Sequence, residues 1–205
     1  MCMSLSLDKY FIMGTINCQR DPLVVLEAAL QAGITIFQLR EKGENALTGD
    51  AYVQFARKCQ KLCHDYKVPF LINDDVELAL KLDADGIHVG QDDLNIEMFR
   101  KRAANKIIGV SVHTMEELEK AILNGANYVG VGPIFETSSK KDAKPPAGVA
   151  FLRKARTNYP NVPIVAIGGI SPSNSSIVRE AGADGVAVIS AISLSEDIWK
   201  TVREI

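Results

Sequence analysis

Short apolar segments recur along the chain, and segments of helical length separate them. Each apolar run is nearly continuous rather than alternating, and it is rich in β-branched residues. This pattern is typical of strands in a parallel sheet that is covered on both faces. The eight predicted strands lie at residues 10–13, 34–39, 69–72, 86–89, 107–112, 128–134, 163–167 and 185–189.

The segments between the strands carry the start and stop patterns of helices. Asp21 followed by Pro22 predicts an N-cap with proline in the first turn, and residues 114–117 form a capping-box sequence. Glycines such as Gly33 and Gly182 stand between a helical segment and the next strand. The predicted helices include residues 22–31, 49–66, 115–124, 173–181 and 196–204.

These alternating elements predict the fold class. Eight strand-and-helix units in 205 residues fit a compact (β/α)8 TIM barrel, with residues 1–205 forming a single domain. An open, doubly wound sheet is the alternative, but no GxGxxG sequence follows the first predicted strand. The segment 136–147 is long, polar and cationic, which predicts an active-site lid.

Composition narrows the class of protein. Hydrophobic residues make up 47% and charged residues 23%, which excludes a disordered or collagenous chain. The net charge of -2 does not indicate a nucleic-acid partner, and no apolar run is long enough for a membrane span. The four cysteines match no disulfide framework or zinc spacing, so we expect buried thiols. Without a leader pattern at the N-terminus, we expect a cytoplasmic location.

Polar residues follow the predicted strands at the end where barrel enzymes carry their chemistry. After the second strand, alternation places Gln38, Arg40 and Lys42 on one face. Two cations and an amide on one face form a clamp for an anion. A rim of salt bridges with Glu41 is the alternative.

Carboxylates follow the third and fourth predicted strands. Asp74 and Asp93 are candidate ligands of Mg²⁺, an ion that takes one or two carboxylates together with substrate phosphate oxygens. Helix capping is the alternative role for aspartates in this position, and Asp75 is a predicted cap.

Small polar residues and a lysine follow the later strands. Ser111 and Lys140 suit phosphate oxygens, whereas His113 is either an acid/base group or a structural imidazole. Gly169 and Ser190 follow the seventh and eighth strands, where many barrels bind a phosphate through backbone N–H groups. A turn that merely needs glycine is the alternative. One monophosphate site beside one diphosphate site with a metal predicts group transfer, with pyrophosphate as the leaving group.

In this order, the strand-end residues resemble the thiamine phosphate synthase family. The similarity covers nearly the whole chain and is carried by residues 10–14, 38–43, 72–76, 86–91, 109–114, 130–135, 168–170 and 182–186. The family joins 4-amino-2-methyl-5-hydroxymethylpyrimidine diphosphate to a (carboxy)hydroxyethylthiazole phosphate, giving thiamine phosphate and pyrophosphate. The resemblance therefore implies a transferase of thiamine biosynthesis with small-molecule partners, and it leaves open a homo-oligomer.

The resemblance also implies a role for individual residues. The pyrimidine diphosphate would be held by Gln38, Leu39, Arg40, Glu41, Lys42, Asn73, Ser111 and Lys140. The thiazole phosphate would be held by Thr137, Ser138, Ser139, Gly169, Ile189 and Ser190. Mg²⁺ would be bound by Asp74 and Asp93. The expected catalytic residues are Arg40, Lys42, Ser111 and Lys140.

Three other functions fit parts of the pattern. A thiazole tautomerase of the same fold resembles the chain at 111–113 and 135–137, but that relative lacks the paired aspartates and has histidine where Pro133 stands. A non-catalytic phosphate-binding barrel would not need a metal site beside a leaving group. A Schiff-base aldolase using Lys42 or Lys140 would need apolar surroundings for its lysine, which the sequence does not provide.

Overall fold

Parallel strands close into a barrel in the computed structural model, which describes residues 5–91, 96–139 and 144–205. Each strand pairs with the next along the chain, and β8 pairs with β1. The strands are β1 Lys9–Met13, β2 Ile36–Leu39, β3 Phe70–Asn73, β4 Gly86–Val89, β5 Ile107–Val112, β6 Tyr128–Val131, β7 Ile164–Ile167 and β8 Gly185–Val188. The closed barrel confirms the predicted (β/α)8 class over the open sheet.

Helices surround the barrel and connect its strands. They are α1 Pro22–Ala32, α2 Gly49–Asp65, α3 Val76–Lys81, α4 Ile96–Phe99, α5 Met115–Leu123, α6 Gly148–Asn158, α7 Ser175–Glu180, α8 Ser190–Ser193 and α9 Ile198–Glu204. Within the described ranges, none of them has the length and apolar character that crossing a membrane requires. Cys59 and Cys63 lie buried on α2 as free thiols, as expected.

Helix ends follow the patterns read from the sequence. The Asp21 carboxylate accepts a hydrogen bond from the Leu23 N–H at the start of α1, and the Thr114 hydroxyl accepts one from the Glu117 N–H at the start of α5. Gly33 ends α1 with a φ of 99°, a left-handed conformation that glycine adopts without a steric penalty. These local interactions fix where α1 begins and ends and where α5 begins.

Two strand boundaries differ from the prediction by more than one residue, each for a local reason. Strand β2 begins at Ile36 rather than at residue 34, because the Ile34 N–H is used to bond the Ala29 carbonyl at the end of α1. Strand β6 ends at Val131 rather than at residue 134, because Pro133 has no N–H for a strand ladder.

Strand residues pack alternately inside and outside the barrel. On β1, Tyr10 and Ile12 belong to the cluster of residues inside the barrel. Phe11 and Met13 belong to the larger cluster between the barrel and the helices. Both faces are buried, which explains why the strand reads as a continuous apolar run rather than an alternating one.

The inner face changes from apolar to polar along the strands. On β2, Ile36 belongs to the apolar inner cluster, whereas the next inward residue, Gln38, is a buried amide. On β3, Leu71 is likewise followed by Asn73. The apolar cluster thus forms a floor, and polar side chains stand above it at the carboxyl ends of the strands.

We predict that Gly109→Ala destabilises the barrel by about 1–3 kcal/mol through overpacking. A Cβ on Gly109 would lie 2.1 Å from Cζ of the buried Tyr128 ring, so the ring and the backbone cannot both stay in place. Gly130→Ala is the matched control, because its Cβ would lie 3.3 Å from its nearest neighbour, the Cε1 atom of His88. Equilibrium unfolding in urea measures both costs, and an equal cost for the two variants would contradict this packing argument.

Candidate active site

A cavity opens at the carboxyl ends of the strands, and every strand contributes to its lining. Its empty volume, including the open mouth, is about 1030 Å³. The predicted site residues that line it are Gln38, Arg40, Lys42, Asn73, Asp74, Ser111, Thr137, Ser139, Gly169, Ile189 and Ser190. The structure therefore brings residues of both predicted anion sites into one cavity.

Other predicted site residues do not line this cavity. Leu39 is fully buried between the barrel and the helices, and Ser138 is exposed on the loop after β6. Glu41 faces away from Arg40 and Lys42, into a separate hydrogen-bond network described below. Asp93 and Lys140, a predicted metal ligand and a predicted cation, lie outside the described residues.

The cations after β2 face the cavity as alternation predicts. Lys42 Nζ lies 2.7 Å from Asp74 Oδ2, so the ion pair joins the predicted anion clamp to the predicted metal ligand. The Lys42 side chain is 51% exposed and that of Asp74 is 23% exposed, which leaves the pair open to incoming ligands. The salt-bridged rim therefore involves Asp74 rather than Glu41.

Glu41 fastens two loops on the opposite side of this segment. Its carboxylate accepts hydrogen bonds from the Thr15 N–H at 2.8 Å, from the Thr15 hydroxyl and from the Leu47 N–H at 2.8 Å. The loop after β1 and the loop after β2 are thereby tied together beside Arg40. In the structure, Glu41, which the resemblance assigned to substrate binding, holds these two loops together.

The two neighbouring aspartates after β3 have different positions. Asp75 is the cap of α3, since its carboxylate accepts a hydrogen bond from the Leu78 N–H at 2.9 Å. Asp74 has a φ of 61°, a conformation that costs free energy for residues other than glycine and that is concentrated at functional sites. This backbone conformation separates Asp74, which lines the cavity, from Asp75, which does not.

His88 lies on β4 and its ring reaches the buried Tyr128 inside the barrel. Its Nε2 is 2.9 Å from the Ser111 Oγ, and its Nδ1 is 2.9 Å from the Tyr128 hydroxyl. His88 and Ser111 line the cavity, whereas Tyr128 lies fully buried beneath them. The Ser111 side chain is therefore positioned by its hydrogen bond with His88.

Two tyrosines that the sequence presented only as strand residues complete this network. The Tyr10 hydroxyl donates to Gln38 Oε1 at 2.7 Å and lies 2.7 Å from the Tyr128 hydroxyl. Gln38 Nε2 in turn donates to Asn73 Oδ1 at 2.6 Å. The signal in the sequence was the position itself, because a tyrosine on the inner face of a closed barrel must find a partner for its hydroxyl.

His113 and Lys144 meet at Glu117 on α5. The Glu117 carboxylate accepts a hydrogen bond from the His113 N–H and lies 3.2 Å from His113 Nδ1. Lys144 Nζ lies 3.3 Å from the other oxygen of the same carboxylate. Both His113 and Lys144 line the cavity, so Lys144 is a cation of the site that the sequence placed only within a polar loop.

The loops after β6, β7 and β8 touch one another at the rim. Gly169 has a φ of 65°, and a Cβ there would lie 2.4 Å from the Glu136 carbonyl oxygen. Ser139 Oγ donates to Ser190 Oγ at 3.2 Å, and Ile189 precedes the short helix α8. The close approach of these loops requires glycine at residue 169, and the same bare backbone faces the cavity.

Within residues 5–91, 96–139 and 144–205, no group of three or more His, Cys, Asp or Glu side chains could by itself hold a metal. Such a group is not needed for Mg²⁺, which commonly takes one or two carboxylates and completes its shell with water and substrate phosphates. The Asp74 carboxylate, in a cavity lined by cations, provides hard oxygen donors of this kind. The donor chemistry thus fits a divalent metal shared with an anionic substrate.

A closed (β/α)8 barrel with cations, a carboxylate and a bare glycine loop around one cavity belongs to the class of barrel enzymes that act on phosphorylated small molecules. The family model described as thiamine monophosphate synthase matches residues 9–192. The chain belongs to this family, and its activity is that of a thiamine-phosphate synthase, a transferase of thiamine biosynthesis.

Individual relatives agree with the family assignment. A thiamine-phosphate synthase of Lysinibacillus sphaericus is 64% identical over 197 residues, covering 96% of this chain and 92% of that protein. The thiamine-phosphate synthase of Bacillus mycoides is 58% identical over 203 residues, covering 99% and 93%. The solved structure of thiamine phosphate pyrophosphorylase from Pyrococcus furiosus superimposes with a TM-score of 0.87 at 34% identity, covering 98% of this chain and 94% of that one. The resemblance to the thiamine phosphate synthase family is confirmed. The tautomerase, the non-catalytic phosphate-binding barrel and the aldolase are not favoured.

We predict that Glu41→Gln lowers the free energy of unfolding by about 1–3 kcal/mol, because an amide has one acceptor oxygen and leaves a donor of Thr15 or Leu47 without an acceptor. Glu119→Gln, at an exposed position of α5, removes the same charge and should change stability by less than about 0.5 kcal/mol. Thermal and urea unfolding measure both variants. A cost for Glu41→Gln no larger than that of the control would contradict the fastening role of this carboxylate.

Proposed function

We propose that the chain joins 4-amino-2-methyl-5-hydroxymethylpyrimidine diphosphate to hydroxyethylthiazole phosphate, giving thiamine phosphate and pyrophosphate, or to its carboxylated form, giving the same two products and carbon dioxide. The observation that carries this proposal is the single cavity, in which the cations after β2 and the glycine loop after β7 face the same space. One set of groups suits a diphosphate and the other a monophosphate. Two substrates held in one cavity can react directly.

The diphosphate is assigned to the side of the cavity formed by β2 and β3. Arg40 and Lys42 contribute positive charge there, and Lys144 adds a third cation at the rim. The resemblance assigns Lys140, which lies outside the described residues, to the same substrate. Gln38, Asn73 and Ser111 present amide and hydroxyl groups deeper in the cavity, where the pyrimidine ring would lie.

The thiazole phosphate is assigned to the opposite side of the cavity. Thr137 and Ser139 come from the loop after β6, Gly169 from the loop after β7, and Ile189 with Ser190 from the loop after β8. These residues offer hydroxyl groups and backbone N–H groups, and a glycine lets a phosphate approach the backbone closely. They carry no formal charge, which suits a smaller anion than a diphosphate.

Mg²⁺ is the metal that we propose for this site. Asp74 would hold it from the described part of the cavity, and Asp93 would be the second ligand on the resemblance. When bound, the ion would neutralise charge on the diphosphate as the leaving group departs.

With the uncarboxylated thiazole, the proposed transfer breaks one bond and forms one. The bond between the exocyclic methylene carbon of the pyrimidine and the diphosphate oxygen breaks, and its electron pair leaves with pyrophosphate. The thiazole nitrogen then donates its lone pair to that carbon, so no protein nucleophile is required. Arg40 and Lys42 stabilise the negative charge that develops on the departing oxygens, and the cavity walls keep water from the electron-poor carbon.

The direct test is to incubate the purified chain with pyrimidine diphosphate, thiazole phosphate and Mg²⁺. We expect thiamine phosphate and pyrophosphate to appear in equal amounts, and chelation of the metal to stop both. Omitting the thiazole phosphate serves as the control for simple hydrolysis. An inactive wild-type chain would overturn the proposed function, and isomerisation of a thiazole without metal would favour the tautomerase.

We predict that Asp74→Asn lowers transfer activity by at least about 100-fold, because it removes a carboxylate assigned to the metal. Asp75→Asn should keep activity within about threefold, because asparagine also caps helices well and the residue does not line the cavity. Steady-state rates at several Mg²⁺ concentrations measure both variants, with excess metal expected to restore part of the lost Asp74→Asn activity. Equal losses for the two neighbours would show that the wrong carboxylate has been assigned.

The proposed location is the cytoplasm. Cys18, Cys59 and Cys63 are free thiols, which fits a reducing compartment. Assembly into a homo-oligomer stays a prediction.

A further inference from the structure

A chain of buried hydrogen bonds runs beneath the cavity through side chains to which the proposed reaction gives no role. It begins at Ser111, passes through His88, Tyr128 and Tyr10, and reaches the amides after β2 and β3. Tyr10 and Tyr128 are each 1% exposed, so water does not compete for their hydroxyl groups. The positions of the hydrogens along the chain can therefore be worked out in order.

The direction of the chain is set by Tyr10. Its hydroxyl donates to Gln38 Oε1 at 2.7 Å. A tyrosine has a single hydroxyl hydrogen, so in the 2.7 Å contact between the two hydroxyls Tyr128 must be the donor. Burial raises the pKa of both Tyr10 and Tyr128, which keeps each hydroxyl protonated and able to donate.

The same reasoning assigns the hydrogen of His88. Because Tyr128 donates to Tyr10, its oxygen accepts from His88 Nδ1–H across 2.9 Å. In the neutral form of the imidazole, which carries one ring hydrogen, Nε2 is then an acceptor. Ser111 Oγ lies 2.9 Å from Nε2 and must therefore turn its hydrogen inward, away from the cavity.

The two ends of the chain consequently present fixed groups to the cavity. Ser111 offers oxygen lone pairs and acts as an acceptor. At the other end, Gln38 Nε2 donates one hydrogen to Asn73 Oδ1 at 2.6 Å and keeps a second N–H. Gln38 and Asn73 thus act as donors, and an acceptor and donors stand on different sides of the same cavity.

We propose that His88, Tyr128 and Tyr10 are positioning residues that hold Ser111 as an acceptor and Gln38 as a donor, so that the cavity selects an aminopyrimidine over its oxo analogue. This inference rests on the proposed function. An aminopyrimidine has an N–H donor beside a ring nitrogen acceptor, whereas the 4-oxo analogue has an acceptor beside a ring N–H. The analogue would place its oxygen acceptor against the acceptor Ser111 and its ring N–H against the donor Gln38. A site built from oriented polar groups discriminates strongly against such a mismatch.

Tyr10→Phe tests the proposal because it removes the hydrogen that sets the direction. The Tyr128 hydroxyl can then donate to His88 Nδ1, which moves the ring hydrogen to Nε2 and frees the Ser111 hydrogen to face the cavity. We expect the preference for the amino over the 4-oxo pyrimidine diphosphate, as a ratio of kcat/KM, to fall by about tenfold or more. The loss should appear mainly in KM, with kcat for the amino substrate within about threefold.

The matched control is Tyr66→Phe. The Tyr66 hydroxyl bonds Gln31 and Glu27 outside the barrel, so its removal deletes the same group without changing the buried hydrogen bonds beneath the cavity. Its preference ratio should equal that of the wild type. A folded Tyr10→Phe variant with an unchanged ratio would overturn the proposal.

Nitrogen-15 NMR of the histidine rings gives a second readout that needs no substrate. The protein contains 3 histidines, and the spectrum of a His88→Gln variant identifies the His88 signals. We expect the Nδ1–H form in the wild type and a shift toward the Nε2–H form in Tyr10→Phe. A wild-type ring that is Nε2–H or doubly protonated would overturn the direction of the chain, even if Tyr10→Phe fails to fold. An inactive wild type would overturn the proposed function, while the ring spectrum would still decide this inference.

Discussion

Closure of the eight short strands in chain order is the constraint on which the rest of the molecule depends. A closed parallel barrel has no free edge, and all of its strands end at the same rim. Because most strands have only four residues, each supplies few inward positions. The lower positions fill the apolar floor, and the next ones up already face the cavity. On β2 and β3, the apolar floor and the polar residues of the cavity are therefore only two positions apart.

Much of this arrangement could be predicted because its causes are local. A continuous apolar run predicts a strand buried on both faces, and Gly33 with Asp21 predicts the ends of a helix. Alternation over residues 38–42 predicted that Gln38, Arg40 and Lys42 share a face, and all three line the cavity. The separation of Asp75 as a helix cap from Asp74 also followed from local hydrogen bonding. Strand limits differ from the prediction by up to three residues where a helix cap used a backbone N–H or a proline lacked one.

The rest of the site depends on contacts between residues far apart in the chain. Tyr10 and Tyr128 are 118 positions apart, and only barrel closure brings their hydroxyl groups together. Lys144 reaches Glu117 from a neighbouring unit, so its charge was visible in the sequence but its place at the cavity was not. The hydrogen bonds of the Glu41 carboxylate were not visible in the sequence for a related reason, since its partners Thr15 and Leu47 belong to two different loops. Pattern alone contains no information about such pairings.

The segment Arg40-Glu41-Lys42 has a consequence for how this protein can change in evolution. Its two cations line the cavity, whereas its carboxylate bonds Thr15 and Leu47, as the alternation of side chains along an extended segment predicts. Loss or gain of one residue within it would exchange the sides, turning the acid toward the substrate and a base toward Thr15. Substitutions along this segment can thus be explored one at a time, whereas changes in its length can be accommodated only further along, in the loop that leads to α2.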